Sequence, residues 1–313
     1  DKKVAGFCMT DVYVSDSGSI NGAGTAADPI SNFAVAMDKL AYNKDATLHV
    51  VGTWTLAGNF FSSMNPSHLT IVGEGADAVL SISGNTFKLG SNTKLDNITL
   101  KSETGTHIIA CYNDVEITDS VKTTGTWNFY AGYNVFTRAE AVAATATTYD
   151  TVASASSSRN SVITVNGGTW VGFAGGNRRV NGSCLLGSIA APIEITINGG
   201  TYGRAVSFTQ TSLNKNENAF SVSGMGILAD DATLTITGGT FRAPVYVIGR
   251  GGVGNSRMGG CSALTMSDRR YYAIDGDITL NITGGTFESF EISAYQTGAG
   301  LTQVLRGNFN VHI

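Results

Sequence analysis

One short motif recurs along the chain and constrains its fold more than any other feature. Alternating apolar residues, two glycines, a threonine and an aromatic residue appear four times, as ITVNGGTW (Ile163–Trp170), ITINGGTY (Ile195–Tyr202), LTITGGTF (Leu234–Phe241) and LNITGGTF (Leu280–Phe287). The copies start about 32, 39 and 46 residues apart, so a fixed core tolerates insertions of different lengths. This spacing favours a solenoid of stacked coils over a rigid helical repeat.

Each copy predicts a β-strand, a sharp corner and a second strand. The alternation of apolar and polar residues has the period of a half-buried strand. The glycines permit positive φ at the corner, and Asn166 and Asn198 before them tolerate the left-handed region. Because stacked coils lie about 4.8 Å apart, the closing aromatic residues should form a ladder in the core: Trp170, Tyr202, Phe241 and Phe287.

Less regular segments predict further coils. A weaker copy runs from Val115 to Trp127, and FYAGYN at 129–134 then matches GFAGGN at 172–177. This match predicts that the two segments occupy equivalent positions in neighbouring coils. Upstream, short apolar runs predict more strands: Val12–Ser15, Leu48–Val51, Leu69–Val72, Val79–Ile82, Thr86–Leu89 and Lys94–Leu100.

One amphipathic helix is predicted, over residues 31–41, with Ser31 as its N-cap. Its apolar face is formed by residues at helical spacing, namely Phe33, Met37, Leu40 and Ala41. A single helix ahead of a stack of coils would cover the open end of the stack.

The amino-terminal region also carries a family resemblance. The opening VYVSDSGSINGAGTAADPISNFAVAMDKLA, followed by TLHVVGTWTL, resembles the start of right-handed parallel β-helix proteins of the pectate-lyase-like superfamily. The INGGTF-type repeats resemble those of large secreted or cell-surface proteins of anaerobic Firmicutes. The resemblance implies an all-β, right-handed parallel β-helix with an amino-terminal capping helix, in a secreted or cell-surface location. The superfamily includes lyases, hydrolases and adhesins, so the fold by itself does not assign an activity.

The expected organisation has two parts. Residues 1–45 form the amino-terminal strand and the capping helix, and residues 46–313 form a parallel β-helix of about eight coils. Insertions that leave the coil at the same point should gather on one side of the solenoid, where such proteins often bind ligands. Four are predicted, at residues 135–160, 178–192, 209–230 and 250–275.

Composition excludes several classes of function. The net charge of −4 offers no basic surface for nucleic acid, and no apolar run approaches the roughly 18 residues of a membrane span. The four cysteines, Cys8, Cys111, Cys184 and Cys261, are too scattered for a disulfide scaffold or a zinc site. We expect Cys184 and Cys261 to be unbonded, since equivalent positions two coils apart exceed the roughly 7 Å Cα limit of a disulfide.

A polysaccharide lyase or glycoside hydrolase of acidic polysaccharides is the alternative function. Lyases on this fold need clustered carboxylates for Ca²⁺, whereas the acids of this chain are scattered. Asp230 with Asp231 and Asp275 with Asp277 do fall at matching places before their repeats, where they could hold a cation or form solvated turns. We expect no cofactor, with Ca²⁺ as the one candidate.

A hydrolase of the polygalacturonase type would pair two carboxylates, usually near a histidine. None of the four histidines, His49, His68, His107 and His312, stands beside an acid pair in the sequence. No Arg-x-Lys segment is present either. We therefore assign no catalytic residue from the sequence.

Basic and aromatic residues accumulate in the predicted insertions and after the repeats. This pattern favours an acidic glycan or a protein partner, although ordinary loop residues would give the same pattern. The predicted ligand-binding residues are Arg178, Arg179, Tyr246, Arg250, Arg269 and Tyr271. A non-catalytic module that binds host or plant glycans is therefore a third interpretation.

The carboxyl-terminal residues predict an assembly edge. GNFNVHI from Gly307 aligns with GDITLNI from Gly276, which leads directly into TGGTF in the previous copy. We expect either that further sequence continues the coil beyond residue 313 or that a neighbouring subunit covers this end, because an uncovered coil would expose an unpaired strand edge that invites another chain. Phe309, Val311 and Ile313 are the predicted contact residues.

The pairing strand could come from the amino terminus of the next subunit. Lys3–Met9 contains Val4, Phe7 and Cys8 and is apolar enough to form such a strand. Head-to-tail contacts that do not close produce a filament. The first expectation is thus an extracellular, non-enzymatic module that acts as an adhesin-like surface rod or a building block of a surface fibre.

Overall fold

The computed structural model describes residues 8–41, 44–57, 66–110, 113–131, 161–174, 192–203, 220–221, 231–242, 245–246, 273–274, 277–288, 290–291, 304–305 and 307–313. Within them, helix α1 spans Phe33–Lys39. The early strands are β1 (Asp11–Ser19), β2 (Asp45–Leu56), β3 (His68–Ile82), β4 (Thr86–Lys88), β5 (Asn92–Asp96), β6 (Thr99–Ser102), β7 (Thr106–Ile109), β8 (Val115–Ile117), β9 (Lys122–Thr124) and β10 (Trp127–Tyr130).

The later strands carry the four clear repeats. They are β11 (Ser161–Val165), β12 (Thr169–Trp170), β13 (Gly172–Ala174), β14 (Ile193–Ile197), β15 (Thr201–Tyr202), β16 (Phe220–Ser221), β17 (Ala232–Ile236), β18 (Thr240–Phe241), β19 (Val245–Tyr246), β20 (Ala273–Ile274), β21 (Ile278–Ile282), β22 (Thr286–Phe287), β23 (Phe290–Glu291), β24 (Val304–Leu305) and β25 (Phe309–His312). Two compact units contain these elements. The first comprises residues up to 108, 113–127 and 165–169, and the second comprises residues 109–112, 128–164 and 170–313.

In the first unit, long parallel strands stack in sequence order. β1 pairs with β2, β2 with β3, β3 with β5 and β5 with β8. One core position repeats through this stack, because each pairing keeps the apolar residues of neighbouring coils opposite one another. The residues at that position are all buried: Val12, Leu48, Ile71, Leu95 and Ile117.

In the second unit, the strands of successive coils form three main parallel stacks, and β20 pairs with β24 in a separate two-stranded sheet. The coil that begins with β17 continues through β18 to β19, and the next coil runs from β21 through β22 to β23. Equivalent strands pair in parallel from coil to coil, as in β14–β17–β21–β25, β15–β18–β22 and β13–β16–β19–β23. The prediction of an all-β parallel solenoid is confirmed. The repeat motif predicts only two of the three strands, because the third is two residues long in three of these four coils.

The Gly-Gly corner requires both glycines, for different reasons. Gly285 has φ of 102°, in the region that side chains rarely adopt. Gly284 lies so close to the coil beneath that a Cβ would collide with the carbonyl oxygen of Thr237. Asn166 and Asn198 do not adopt the left-handed region that they tolerate, since Asn97 is the one non-glycine residue with positive φ in the described ranges. Asn198 instead accepts a 2.6 Å hydrogen bond from the Thr237 hydroxyl.

The predicted aromatic ladder is confirmed for three coils. The rings of Tyr202 and Phe241 stack with centroids 4.8 Å apart, and Phe241 stacks on Phe287 at the same distance. Trp170, Tyr202 and Phe241 are buried, so the ladder fills the core, and the Tyr202 hydroxyl donates to the Gly199 carbonyl at 2.9 Å. Burial raises the pKa of this phenol well above its ordinary value.

Two local predictions need correction. Helix α1 is shorter than residues 31–41, and its N-cap is Asn32, whose side chain accepts from the Val35 amide at 3.1 Å. The match of 129–134 to 172–177 is displaced by one residue, because Phe129 pairs with Phe173 and Tyr130 with Ala174. The observed register stacks the buried rings of Phe129 and Phe173 with centroids 4.7 Å apart. The aligned register would have turned one ring to the other face of the sheet.

Candidate functional site

Most of the predicted ligand-binding residues lie outside the described residues. Arg178, Arg179, Arg250, Arg269 and Tyr271 belong to this group, as do Val4 and Phe7 of the predicted assembly segment. Tyr246 lies in β19, where its backbone pairs with Ser221 and Glu291. Of the predicted insertions, 135–160 lies outside the described residues, as does 178–192 except for its last residue, and those at 209–230 and 250–275 each contain one described strand, β16 and β20.

The last described strand, β25, has an open edge. Phe309 lies opposite Ile278 and Val311 opposite Leu280, which confirms the register predicted from the alignment of the carboxyl-terminal residues. Among the described strands, β21 is the neighbour of β25, and none pairs with its other side. We call that other side the outer edge of β25.

Backbone amides point toward this outer edge. Ile193, Ala232 and Ile278 hold one position in successive coils, and each donates its N–H to the next coil, at 2.9–3.0 Å. Phe309 holds the same position in β25, so its N–H faces the outer edge, and in a regular parallel ladder so does that of Val311 two residues later. These N–H groups therefore point in the direction in which the earlier coils donate hydrogen bonds to the next coil.

The core-facing side chains of β25 are also uncovered. Val311 is 37% exposed and Ile313 is 91% exposed, whereas Leu280 beneath Val311 is fully buried. Phe309 and Phe287 are half-buried, although Ile278 and Phe241 beneath them are fully buried. The outer edge is therefore bordered by an apolar layer formed by Phe287, Phe309, Val311 and Ile313.

Polar residues form a ladder at the start of these strands. We call the residue that directly precedes each strand its lead-in position. Asp231, Asp277 and Asn308 occupy it before β17, β21 and β25. The Asp277 amide donates to the Asp231 carboxylate at 2.8 Å, and the Asn308 amide donates to the Asp277 carboxylate at 2.6 Å. The hydrogen bonds that Asn308 donates, chiefly from its backbone N–H and then from its side chain, lower the pKa of Asp277. Asp230 and Asp275, the other members of the two predicted acidic pairs, lie outside the described residues, so the expectation of a cation or a solvated turn stays a prediction. The sequence did not predict the hydrogen bonds by which Asp231 and Asp277 link one coil to the next.

The amino-terminal end of the first unit is covered by its own chain. The Tyr13 amide on β1 donates to the Gly24 carbonyl at 2.9 Å, and the Ser19 amide donates to the Pro29 carbonyl at 3.0 Å. Met9 bonds to both Lys39 and Ala41 through its backbone. Of the predicted assembly segment Lys3–Met9, therefore, Met9 is committed to its own cap, while the Cys8 side chain is a free, exposed thiol.

The capping helix packs as its apolar face predicts. Leu40 and Ala41 are buried, and Phe33 and Met37 line an apolar cavity together with Trp54 of β2. Phe33 stacks on the Trp54 ring with centroids 5.9 Å apart, and the Trp54 indole donates to the Ser31 carbonyl at 3.0 Å. We call residues 20–41 the cap.

A histidine cluster lies on the outer face of the first three strands. The His49 ring contacts Asp11 at 3.1 Å through Nε2 and Glu74 at 2.6 Å through Nδ1, and Tyr13 stacks on it at 4.3 Å. Ionised carboxylates only accept hydrogen bonds, so both ring nitrogens donate when the two contacts form together. The hydrogen bond from His49 lowers the pKa of Asp11. With both nitrogens engaged, the cluster joins β1, β2 and β3.

Sequence reasoning missed this cluster for a clear reason. Asp11 and Glu74 are far from His49 in the chain, and only the pairing of β1 with β2 and of β2 with β3 brings them to its ring. A scan for neighbouring acids cannot detect such a group. A register prediction that set Tyr13 opposite His49 would have found it.

The remaining comparisons concern metals, membranes and relatives. Across the part of the chain that the structure describes, no group of three or more His, Cys, Asp or Glu side chains could hold a metal ion. No helix in the described ranges is long and apolar enough to cross a membrane. Cys111, Cys184 and Cys261 lie outside the described residues, so the expectation for Cys184 and Cys261 stays a prediction. No family model, curated protein or solved structure matches this chain.

Proposed function

We propose that this chain is an extracellular, non-enzymatic β-helix module that serves as an adhesin-like surface rod or as a building block of a surface fibre. One observation carries the proposal: the outer edge of β25 continues the register of the preceding coils and is bordered by uncovered apolar side chains. We further propose that the chain belongs with the secreted β-helix proteins of the pectate-lyase-like superfamily and with INGGTF-repeat surface proteins, on the motifs given above.

Physical chemistry supports an assembly role for this edge. Burying an exposed Val, Ile or Phe side chain contributes about 1.5–3 kcal/mol. Val311 and Ile313 are exposed, whereas Phe309 and Phe287 are half-buried and would contribute less. The unpaired N–H and C=O groups of the edge form a template for another strand. An added coil would bury the apolar side chains, as Leu280 is buried in the coil beneath, and would pair the backbone N–H and C=O groups.

The partner in a fibre would be another copy, in a head-to-tail arrangement. The Met9 backbone is held between Lys39 and Ala41, so Cys8, the residue before it, lies beside the cap. Val4, Phe7 and Cys8 are the residues proposed to reach the outer edge of β25 in the next copy. This contact does not close on itself and would extend into a filament.

Sedimentation velocity over a range of protein concentrations, with electron microscopy at the highest, tests the assembly role. The chain should associate into linear particles, and Val311→Lys should abolish association because it places a charge in the apolar layer. Asn310→Lys is the matched control, since Asn310 alternates with Val311 and its exposed side chain points away from the core. A monomer at every concentration, or equal loss in both variants, would contradict the proposal.

A turnover assay tests the non-enzymatic part. The alternative is a lyase or hydrolase of acidic polysaccharides, so polyuronates are incubated with the chain, with and without Ca²⁺. Unsaturated products are followed by ultraviolet absorbance and new reducing ends by a colorimetric assay. We expect no turnover; catalysis of either kind would overturn this part. Retention on immobilised host or plant glycans, with no turnover, would favour the adhesin-like role over the fibre.

A further inference from the structure

We propose that Asn198 is a site of self-modification, at which the backbone nitrogen of Gly199 attacks the side-chain amide and releases ammonia. The product is a cyclic imide, which water opens to aspartate or isoaspartate. The site lies in the corner between β14 and β15. It uses no residue of β25, so it is independent of the proposed assembly.

The side-chain carbonyl of Asn198 is activated by a donor from the next coil. Thr237 holds the equivalent corner position in that coil, because Ile197 at the end of β14 pairs with Ile236 at the end of β17. The Thr237 hydroxyl lies 2.6 Å from Asn198 Oδ1 and 3.4 Å from the Ile197 carbonyl oxygen. A hydroxyl has one proton, so it donates along the shorter contact. This donor is placed where negative charge develops when a nucleophile adds to Cγ.

The nucleophile is the nitrogen of the next peptide bond. Among the described residues the Gly199 N–H donates no hydrogen bond, whereas Gly238, at the equivalent position of the next coil, donates to the Ile197 carbonyl at 3.3 Å. Gly199 has no side chain to block the approach of Cγ, and Asn198 itself is exposed. Ring closure therefore requires rotation within one residue and loss of the Gly199 N–H proton to a solvent base.

Each step of the reaction balances in atoms and electrons. The deprotonated Gly199 nitrogen forms a bond to Asn198 Cγ, and the carbonyl electron pair moves onto Oδ1, which faces the Thr237 hydroxyl. The pair returns as the Cγ–Nδ2 bond breaks, and Nδ2 takes a proton from solvent and leaves as ammonia. Water then adds to one of the two imide carbonyls. Opening at Cγ gives aspartate, and opening at the main-chain carbonyl gives isoaspartate.

The two products differ in their effect on the stack of coils. Aspartate keeps the course of the main chain and a side-chain oxygen that accepts from Thr237. Isoaspartate routes the main chain through Cγ and so lengthens it by one carbon directly before Gly199. The Asn198 carbonyl oxygen is the atom with which a Cβ on Gly238 would collide, so this corner is packed against the next coil. Isoaspartate should therefore loosen the packing of these two coils.

Two other described segments provide matched comparisons. Each has the same local sequence of a β-branched residue, an asparagine and a glycine: Ile20–Gly22 and Val165–Gly167. In the first, the Gly22 N–H donates to the Ser19 carbonyl at 3.2 Å, so its nitrogen is engaged. In the second, Asn166 is half-buried and Gly167 is buried, so the corner has less room for ring closure. The fold therefore favours reaction at Asn198 over two sites of similar local sequence.

Timed incubation of the full chain in mildly alkaline buffer, followed by tryptic peptide mapping, measures the reaction. Asn198 falls in the peptide of residues 180–204, where fragment ions distinguish it from Asn181. Loss of ammonia identifies the imide, and replacement of the amide by an acid identifies the later products. Labelling with an isoaspartyl methyltransferase quantifies isoaspartate. The same chain unfolded in guanidinium chloride gives the intrinsic rate at each asparagine.

We expect Asn198 to react several-fold faster than Asn21 and Asn166 in the folded chain, and the three rates to converge in the unfolded chain. Thr237→Val keeps the shape of the side chain but removes the donor, so it should slow the reaction at Asn198 roughly three- to tenfold. Thr237→Ser should restore the rate. Thr283→Val is the matched control, because Thr283 holds the same corner position one coil further on, and it should leave the rate at Asn198 unchanged.

Three outcomes would overturn the inference. They are equal rates at the three asparagines of the folded chain, an unchanged or faster reaction at Asn198 in Thr237→Val, and equal slowing in Thr237→Val and Thr283→Val. The last would mean that packing of the corners, rather than the Thr237 hydroxyl, controls the rate. None of these outcomes bears on association or on polyuronate turnover, so this inference and the proposed function are tested separately.

Discussion

The two terminal strands of the described solenoid, β1 and β25, have the same architecture and opposite surroundings. Both pair on one side with a parallel neighbour. On the other side, β1 donates its Tyr13 amide to Gly24, while β25 has an open edge. The difference shows what covers β1: hydrogen bonds to residues of the cap, which lie outside the repeat and have no counterpart beside β25 among the described residues.

The contrast extends to the core. Val14 on β1 is fully buried, whereas Val311 on β25 is 37% exposed. The cap supplies this cover through α1 and the segment that ends at Ile30, whose side chain is also fully buried. Sealing an end therefore takes both hydrogen bonds to the outer amides and apolar side chains above the last core layer.

The largest expected effect comes from removing the ring on which the cap packs. Trp54→Ala should destabilise the first unit by about 3–5 kcal/mol, because a fully buried aromatic side chain is lost and a cavity remains. The change also removes the stacking on Phe33 and the bond to the Ser31 carbonyl. Phe309→Ala at the open end should cost much less. Denaturant unfolding measures both, and equal losses would mean that the two ends are equally packed.

A matched pair of substitutions compares the terminal strands directly. Val14→Ala should cost about 2 kcal/mol, from the burial of the two deleted carbons and the space that they leave. Val311→Ala removes the same atoms from a partly exposed site and should cost less than half as much. Both are measured on the monomer, at a concentration below any association. A larger loss for Val311→Ala would show that β25 is covered in solution.

The smallest expected effects depend on pH and compare one hydrogen-bonded carboxylate near β1 with one near β25. The pKa of Asp11 and that of Asp277 lie below the ordinary 3.8, through hydrogen bonds from His49 and from Asn308 respectively. Each carboxylate therefore stabilises the folded state above 3.8, and this contribution is lost as the pH falls through the lowered pKa.

Asp11→Asn should weaken the first unit near neutral pH, and Asp277→Asn should loosen the coil that contains β25. Both differences from the unsubstituted chain should shrink in acid. Urea unfolding measured near neutrality and well below pH 3.8 gives the first comparison, and amide exchange at residues 309–312 gives the second. A penalty that is independent of pH would mean that the carboxylate charge does not contribute.

The parts of the fold that follow a local period were predictable. The Gly-Gly corners and the alternation before them determine where Tyr202, Phe241 and Phe287 stack, and they align Phe309 with Ile278. Each of these features lies within one coil and recurs in the next, so a repeated sequence pattern predicts it. The strand of Phe220 and Ser221 was not predictable, because two residues are too few to express a period.

The functional contacts were harder to predict, because they join residues from different coils. His49 meets Asp11 and Glu74 only after three strands are in register. Asp277 and Asn308 were recognisable as aligned polar residues, but their role depends on a backbone N–H that no residue pattern encodes. The one-residue displacement between Phe129 and Phe173 has a similar origin, since packing of the rings decides the register.

Residue-resolved hydrogen exchange on dilute monomer tests the central claim, that one terminal strand is closed and the other open. The Tyr13 amide, bonded to Gly24, should exchange slowly. On β25 the rates should alternate, fast at Phe309 and Val311, whose amides face the outer edge, and slower at Asn310, whose amide faces β21. Protection of Phe309 and Val311 equal to that of Tyr13 would contradict the account.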